Sequence, residues 1–197
     1  RELVAEMDNA IVPQQFSNSL NVEAHERTTG PEIRAALDGE VGALVAGCGT
    51  AGTLMGTARH LREHVPDLHV VAVEPEGSLL ARTDGQTVEK AEYTIEGIGT
   101  TDLATNELYD PELVDEVRQV SDRAAHTEMK RLAGEEGQLV ASSAAAASVA
   151  ARDVAQRIRE GRLDVPHERV ATIFPDSSER CLSNGIYDPF KEWVDEE

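Results

Sequence analysis

Cysteine, lysine and long apolar runs are all scarce in this sequence, and each scarcity closes off a class of function. The two cysteines, Cys48 and Cys181, are too few and too far apart for a disulfide framework or a cysteine-based zinc site. No apolar run reaches the roughly 18 residues that a membrane-spanning helix needs. Arg1–Glu6 is a mixed amphipathic segment and not a signal peptide, so a cytoplasmic protein is expected. The chain also lacks an initiator Met, and the expectation is that it begins inside a longer polypeptide. At 197 residues it can still bury one good core.

Lysine occurs only at Lys90, Lys130 and Lys191, the remainder of the 18 basic residues being arginine. The formal net charge is −19, which argues against a nucleic-acid partner, whose phosphates need basic side chains. The acidic residues are spread through every segment, so they read as a solvated surface and not as a tail. Such a surface resembles those of proteins from salt-loving microbes, where high ionic strength screens self-repulsion. Ser-His-Asp chemistry has no Gly-x-Ser-x-Gly elbow to start from. His60 and His64 form an i,i+4 helical pair. With no glutamate beside the first His, the pair reads as a solvated face, and no metal site is expected.

Most of what remains lies in Gly47-Cys48-Gly49-Thr50-Ala51-Gly52-Thr53. Val41–Ala46 before it reads as a buried strand, and Leu54–Val65 after it as a helix halted by Pro66. Small residues let a bound group approach the backbone, and the first amides of the helix point at it. An anion there gains about 0.3–1 kcal/mol from the helix terminus, up to ~2 when partly buried. The Walker pattern fails because no lysine follows the last glycine. A G-x-G-x-x-G spacing does run through Gly47, Gly49 and Gly52, with Glu74 about twenty residues on. Local spacing therefore leaves three readings open: a dinucleotide, another phosphate-bearing ligand, or a plain structural turn.

Strand-like and helix-like segments alternate, which predicts an α/β fold: a mostly parallel twisted sheet with helices on both faces. Arg1–Met7 reads as helical and Ala10–Val12 as extended. Pro31 suits a helix N1 position, with Glu32–Leu37 stopped at Gly39. Strands are expected at 41–46, 69–73, 139–141 and 169–174, while 113–120 fits either strand or helix. Residues 75–107 show no periodicity beyond Tyr93–Ile95, and a stretch that long is usually functional or mobile. Ser121 reads as the N-cap of a helix at 123–133. Ser142 or Ser143 reads as the cap of an Ala-rich helix at 144–160, ended by Gly161.

Seven phrases, in order, resemble the cysteine synthase and cystathionine β-synthase family of fold type II pyridoxal-phosphate enzymes. Gln15-Phe16-Ser17-Asn18 is similar to its Q-F-x-N segment, and Thr28-Thr29-Gly30-Pro31-Glu32-Ile33 to its T-T-G-P-E-I. Gly49-Thr50-Ala51-Gly52-Thr53 resembles its G-T-G-G-T phosphate loop. Val73–Ser78, Glu96–Gly99, Glu135–Gly137 with Ser142-Ser143, and Pro175–Arg180 resemble its V-E-P-x-x-S, E/Q-G-I-G, E-E-G…S-S-G and P-D-S-G-E-R phrases.

The resemblance implies pyridoxal 5′-phosphate as cofactor and a homodimer acting on a small amino-acid substrate. The implied reaction is β-replacement, in which O-acetylserine or a related serine derivative plus sulfide gives cysteine. A cystathionine β-synthase-type enzyme and a non-catalytic phosphate-binding protein are the alternatives. Gly49, Thr50, Ala51, Gly52 and Thr53 are implied to hold the cofactor phosphate, and Ser177 to face the pyridine nitrogen. Gln15 is implied to contact the substrate carboxylate, and Gly97, with Gly99, to line the cofactor face. Ala51 departs from a family glycine, and Ser19-Leu20 from the usual Pro-Ala. The family's smaller domain, with its Schiff-base lysine and Thr/Ser-Gly-Asn-Thr loop, has no counterpart here, and no lysine present stands in a matching motif. Residues 1–16 are thus expected to be the tail of that domain and 17–197 the cofactor-binding domain. The missing N-terminal segment would act in cis or in trans, and the chain alone would be inactive.

Overall fold

Strands that are apolar on both sides must be covered on two faces, and the chain supplies a layer of helices for each. The computed structural model describes residues 4, 6–79, 92–100 and 106–180. Strands β1 (Ala43–Gly47), β2 (His69–Pro75), β3 (Glu116–Val120) and β4 (Val170–Thr172) form one parallel sheet in the order β3-β2-β1-β4. Ala43 of β1 is in register with His69 on one side and Val170 on the other. The helices are α1 (Leu20–Arg27), α2 (Thr29–Ala36), α3 (Gly52–His64), α4 (Asp122–Glu135) and α5 (Ser142–Arg159).

The period-2 alternation of the strands sorts the core into two halves. Leu44, Ala46, Val70 and Ala72 pack with Leu54, Met55, Ala58 and Leu61 of α3 and Val22 of α1. Ala43, Val45, Val71 and Val73 pack on the opposite face with Ala146, Ala150 and Val154 of α5 and Ala125 of α4. The small residues of α5 let it lie against all four strands. Among the described residues two carboxylates are buried within this frame, Glu74 and Glu128. Burial pushes the Glu128 carboxyl pKa up, but hydrogen bonds from Arg131 and Ser148 and the charges of Arg152 and Arg131 more than reverse this, and the net shift is downward. The group joins α4 to α5 through contacts of 2.7 Å to Ser148 and 2.8 Å to Arg152.

The α/β class, the parallel sheet and its two helical layers match the expectation, and several local readings do not. Leu139–Ala141 forms no ladder strand. It makes a single antiparallel bridge, Val140 with Ser177, and Leu139 is exposed. Neither Ser142 nor Ser143 caps α5, whose boundary residue is Ala141. Ser142 Oγ instead accepts the Glu96 amide at 3.1 Å. Pro31 is the third residue of α2 and not its first. The ambiguous 113–120 stretch divides into a 3-10 turn at Pro111–Leu113 and strand β3. As an edge strand, β3 carries Glu116 and Arg118, which blurred its pattern. The strand expected at 169–174 keeps only its middle, and Ala10–Val12 is not a strand. Most of the helix expected at Arg1–Met7 and part of the 75–107 stretch lie outside the described residues.

Helix α1 was not read from the sequence at all, because Val22 is its only buried residue. Its backbone nonetheless docks closely on α3. A Cβ on Gly56 would lie 2.2 Å from the Val22 carbonyl oxygen and 2.8 Å from the Glu26 amide nitrogen. A Gly56→Ala variant gains about 1 kcal/mol in helix propensity. The overlap is with backbone, which cannot swing aside, and outweighs that gain. A net loss of about 1–3 kcal/mol is expected in urea denaturation. An unchanged or raised midpoint would show that α1 docks loosely.

Candidate functional site

The turn from β1 into α3 is built so that α3 begins at Gly52 with its amides open. Its first intrahelical bond runs from the Met55 amide to the Ala51 carbonyl at 2.9 Å. The amides of Gly52, Thr53 and Leu54 therefore have no intrahelical acceptor. The Gly52 amide makes only a long contact to Thr50 Oγ1, 3.4 Å. Ala51 sits at φ +70°, in the left-handed region. That conformation costs an alanine roughly 1–2 kcal/mol over a glycine. The turn keeps a glycine-like backbone where the residue is not glycine.

Neighbouring segments hold the turn in place. Asn21 of α1 donates its Nδ2 to Gln15 O at 2.8 Å and to Thr50 Oγ1 at 3.0 Å. It can do so because Gly52 has no side chain: a Cβ there would lie 2.0 Å from Asn21 Oδ1. Asn106 Nδ2 donates to Gly49 O at 2.9 Å. His25 bridges Thr29 Oγ1 (2.9 Å) and Thr53 Oγ1 (3.1 Å) with its two ring nitrogens. Burial lowers the His25 pKa, favouring the neutral ring that can donate from one nitrogen and accept at the other. Burial, with a smaller contribution from the Glu74 charge, pushes the Cys48 thiol up to about 12. Cys48 is thus no nucleophile at neutral pH.

Two cavities open at the carboxyl ends of β1 and β4. One, of about 140 Å³, is lined by Gly49, Thr50, Ala51, Thr53, Gly97 and Ile98, with Ala46, Gly47, Ile173 and Pro175 behind them. Among the described residues no carboxylate lines it. The second, of about 360 Å³, shares Gly97 and Pro175 with the first and adds Glu96, Ser143, Asp176 and Arg180. The sheet order changes direction at β1, and such sheets bind ligands in the crevice outside that point. The loop cavity therefore offers amide and hydroxyl donors to an anion, beside a wider space with charges of both signs.

The positions singled out in the sequence converge here to different degrees. Gly49, Thr50, Ala51 and Thr53 line the loop cavity, and Gly52 starts the helix beneath it. Gly97, at φ +84°, lines both cavities. Ser177 is exposed and lines neither, although Pro175 and Asp176 just before it do. Gln15 is exposed, its carbonyl tied to the loop through Asn21. Sequence reading missed Asn21, Asn106, His25 and Arg180. The first three act by contacts to the loop from distant segments, and no spacing signals that.

The geometry fits a phosphate-bearing cofactor, since a side chain at Gly52 would displace the Asn21 clasp and no described residue lining the loop cavity is acidic. Comparison with known proteins agrees. A family model described as pyridoxal-phosphate dependent enzyme matches residues 1–176. A cysteine synthase from Helicobacter pylori is 38% identical over 187 residues, 95% of this chain and 57% of that protein. An O-acetylserine dependent cystathionine beta-synthase from Bacillus subtilis is 36% identical, again over 95% of this chain and 57% of the relative. The crystal structure of an O-acetylserine dependent cystathionine beta-synthase from H. pylori superposes with a TM-score of 0.81 at 39% identity, covering 94% of this chain and 56% of that one. The chain thus spans little more than half the length of the curated relatives it matches.

Proposed function

This chain belongs to the family of pyridoxal-phosphate dependent enzymes, and we propose that it forms the cofactor-phosphate-holding part of a cysteine synthase-like enzyme. The reaction we assign is replacement of the β-substituent of O-acetylserine, or a related serine derivative, by sulfide. The single observation that carries this reading is the donor-lined cavity at the start of α3, to which the described residues contribute no carboxylate. Relatives named as O-acetylserine dependent cystathionine beta-synthases favour a second reading, in which a larger thiol takes the place of sulfide.

When bound, pyridoxal phosphate supplies a ring that withdraws electrons from the substrate α-carbon. The chain's own residues do the rest. The amides and hydroxyls of Gly49, Thr50, Ala51, Gly52 and Thr53 hold the phosphate. Ser177 offers a neutral hydroxyl to the pyridine nitrogen, Gly97 leaves the cofactor face bare, and Gln15 binds the substrate carboxylate. In this reading residues 17–197 are the large domain and 1–16 the end of the smaller one. A Gly52→Asp variant adds bulk against Asn21 and a like charge beside the phosphate. It should abolish inorganic phosphate and pyridoxal phosphate binding in equilibrium dialysis. Unchanged affinity would count decisively against the loop assignment.

The lysine that holds the cofactor and moves the α-proton is, we propose, supplied by a segment outside these 197 residues. Lys130 lies on α4 and lines neither cavity. Lys90 and Lys191 stand in no matching motif and lie outside the described residues. The isolated chain should bind pyridoxal phosphate weakly, without borohydride-stabilised attachment to any of the three lysines. It should also release no acetate from O-acetylserine in the presence of sulfide. Adding an N-terminal family segment, fused or in trans, should restore both, and turnover by the chain alone would overturn the proposal.

The acidic, lysine-poor surface supports a protein adapted to high salt in a cytoplasmic setting, and the resemblance supports a homodimer. Screening of the −19 charge should raise the thermal midpoint from dilute to molar potassium chloride. A midpoint that falls steadily with salt would refute the adaptation. Light scattering on the same samples, if it gave only monomer throughout, would refute the dimer.

A further inference from the structure

The far end of α3 carries a side-chain cluster that the cofactor site does not use. It sits about 18 Å along the helix from Gly52, at ~1.5 Å per residue. His60, Glu63 and His64 each offer one ligand atom there, and all three atoms lie within 4.8 Å of one another. We propose that His60, Glu63 and His64 bind a single divalent transition-metal ion of the zinc class. Two imidazole nitrogens and one carboxylate oxygen are the donor set such ions take, with water completing the fourth position.

The local geometry prepares both imidazoles. The i,i+4 spacing stacks the two histidines on one face of the helix, with ring centroids 4.9 Å apart. His64 Nδ1 lies 3.0 Å from the His60 carbonyl oxygen. With its proton on Nδ1 the ring donates to that carbonyl, and the Nε2 lone pair is left for a ligand, as in metal-binding histidines generally. His60 Nε2 is enclosed and has no hydrogen-bond partner among the described residues, which a coordinated ion would supply. The cluster also occupies the last turn of α3, where the helix carbonyls present partial negative charge. Glu26 of α1 and Arg34 of α2 act on His60 with charges of opposite sign.

The order His-Leu-Arg-Glu-His places the glutamate beside the second histidine. This order also appears in a class of zinc peptidases. Here Glu63 and His64 are exposed and neither described cavity reaches them, so the ion's role is to brace the helix end and not to hydrolyse.

The test is titration of zinc chloride into the metal-stripped full chain by calorimetry, beside His64→Ala and Glu63→Gln. His64 is exposed, so its alanine variant keeps the fold. His60 packs on Gly30, and its replacement is not relied upon. One saturable site is expected. His64→Ala should weaken it roughly tenfold or more, about 1.4 kcal/mol or more, with a smaller loss in Glu63→Gln. Zinc should raise the thermal midpoint of the parent chain and not of His64→Ala. Absence of saturable uptake, or equal affinity in His64→Ala, would overturn the site.

Discussion

The close approach of α1 to α3, made at two glycines one helical turn apart, is the constraint on which the site depends. Gly52 leaves room for the Asn21 side chain, and Gly56 leaves room for the α1 backbone. Because Asn21 can then reach both Gln15 O and Thr50 Oγ1, the segment before α1 and the turn before α3 share one anchor. His25, one turn further along α1, adds a second link at Thr53. The loop is thus held from outside by a helix with only one buried residue, and its rigidity comes from polar contacts more than from apolar burial.

That arrangement also sets the electrostatics. The chain is strongly acidic, yet the described residues that line the loop cavity are small, hydroxyl-bearing or apolar, with no carboxylate among them. Glu74, a buried carboxylate one residue before the end of β2, accepts a 3.0 Å hydrogen bond from Gln119. Its charge reaches inward, where it adds to the burial that silences the Cys48 thiol. An acidic surface and a turn of open amides coexist because the field of exposed carboxylates is screened by solvent. The helix-terminal amides act at contact distance.

The fold was legible wherever apolar periodicity was strong. Val70–Val73 and Leu44–Ala46 could only be doubly covered strands, and the glycine turn between β1 and α3 stood out by composition. Reading failed where a residue served a distant partner. Ser142 has the chemistry of a cap, but its oxygen is taken by the Glu96 amide. Leu139–Ala141 has a strand's composition but meets only a short antiparallel neighbour. Helix α1 is mostly polar because its task is to present Asn21 and His25. The loop residues of the site came from a resemblance carried by their own sequence. Their supports came from contacts that no one-dimensional spacing encodes.

The edge of the sheet at β3 has its own consequence. Glu116 and Arg118, on the α5 face of that strand, are engaged by Arg157 and Asp153 of α5 and by His69 of β2. Burial opposes ionisation of Glu116, but the Arg157 and His69 contacts and the Arg118 charge leave its carboxyl below the usual range. A foreign strand seeking to extend the sheet there would have to break these pairs and strip charged groups of water before gaining a single backbone bond. The opposite edge, β4, offers only three residues. Among the described residues the sheet thus ends in ionic contacts on one flank and in a short strand on the other, and both raise the cost of edge-to-edge aggregation.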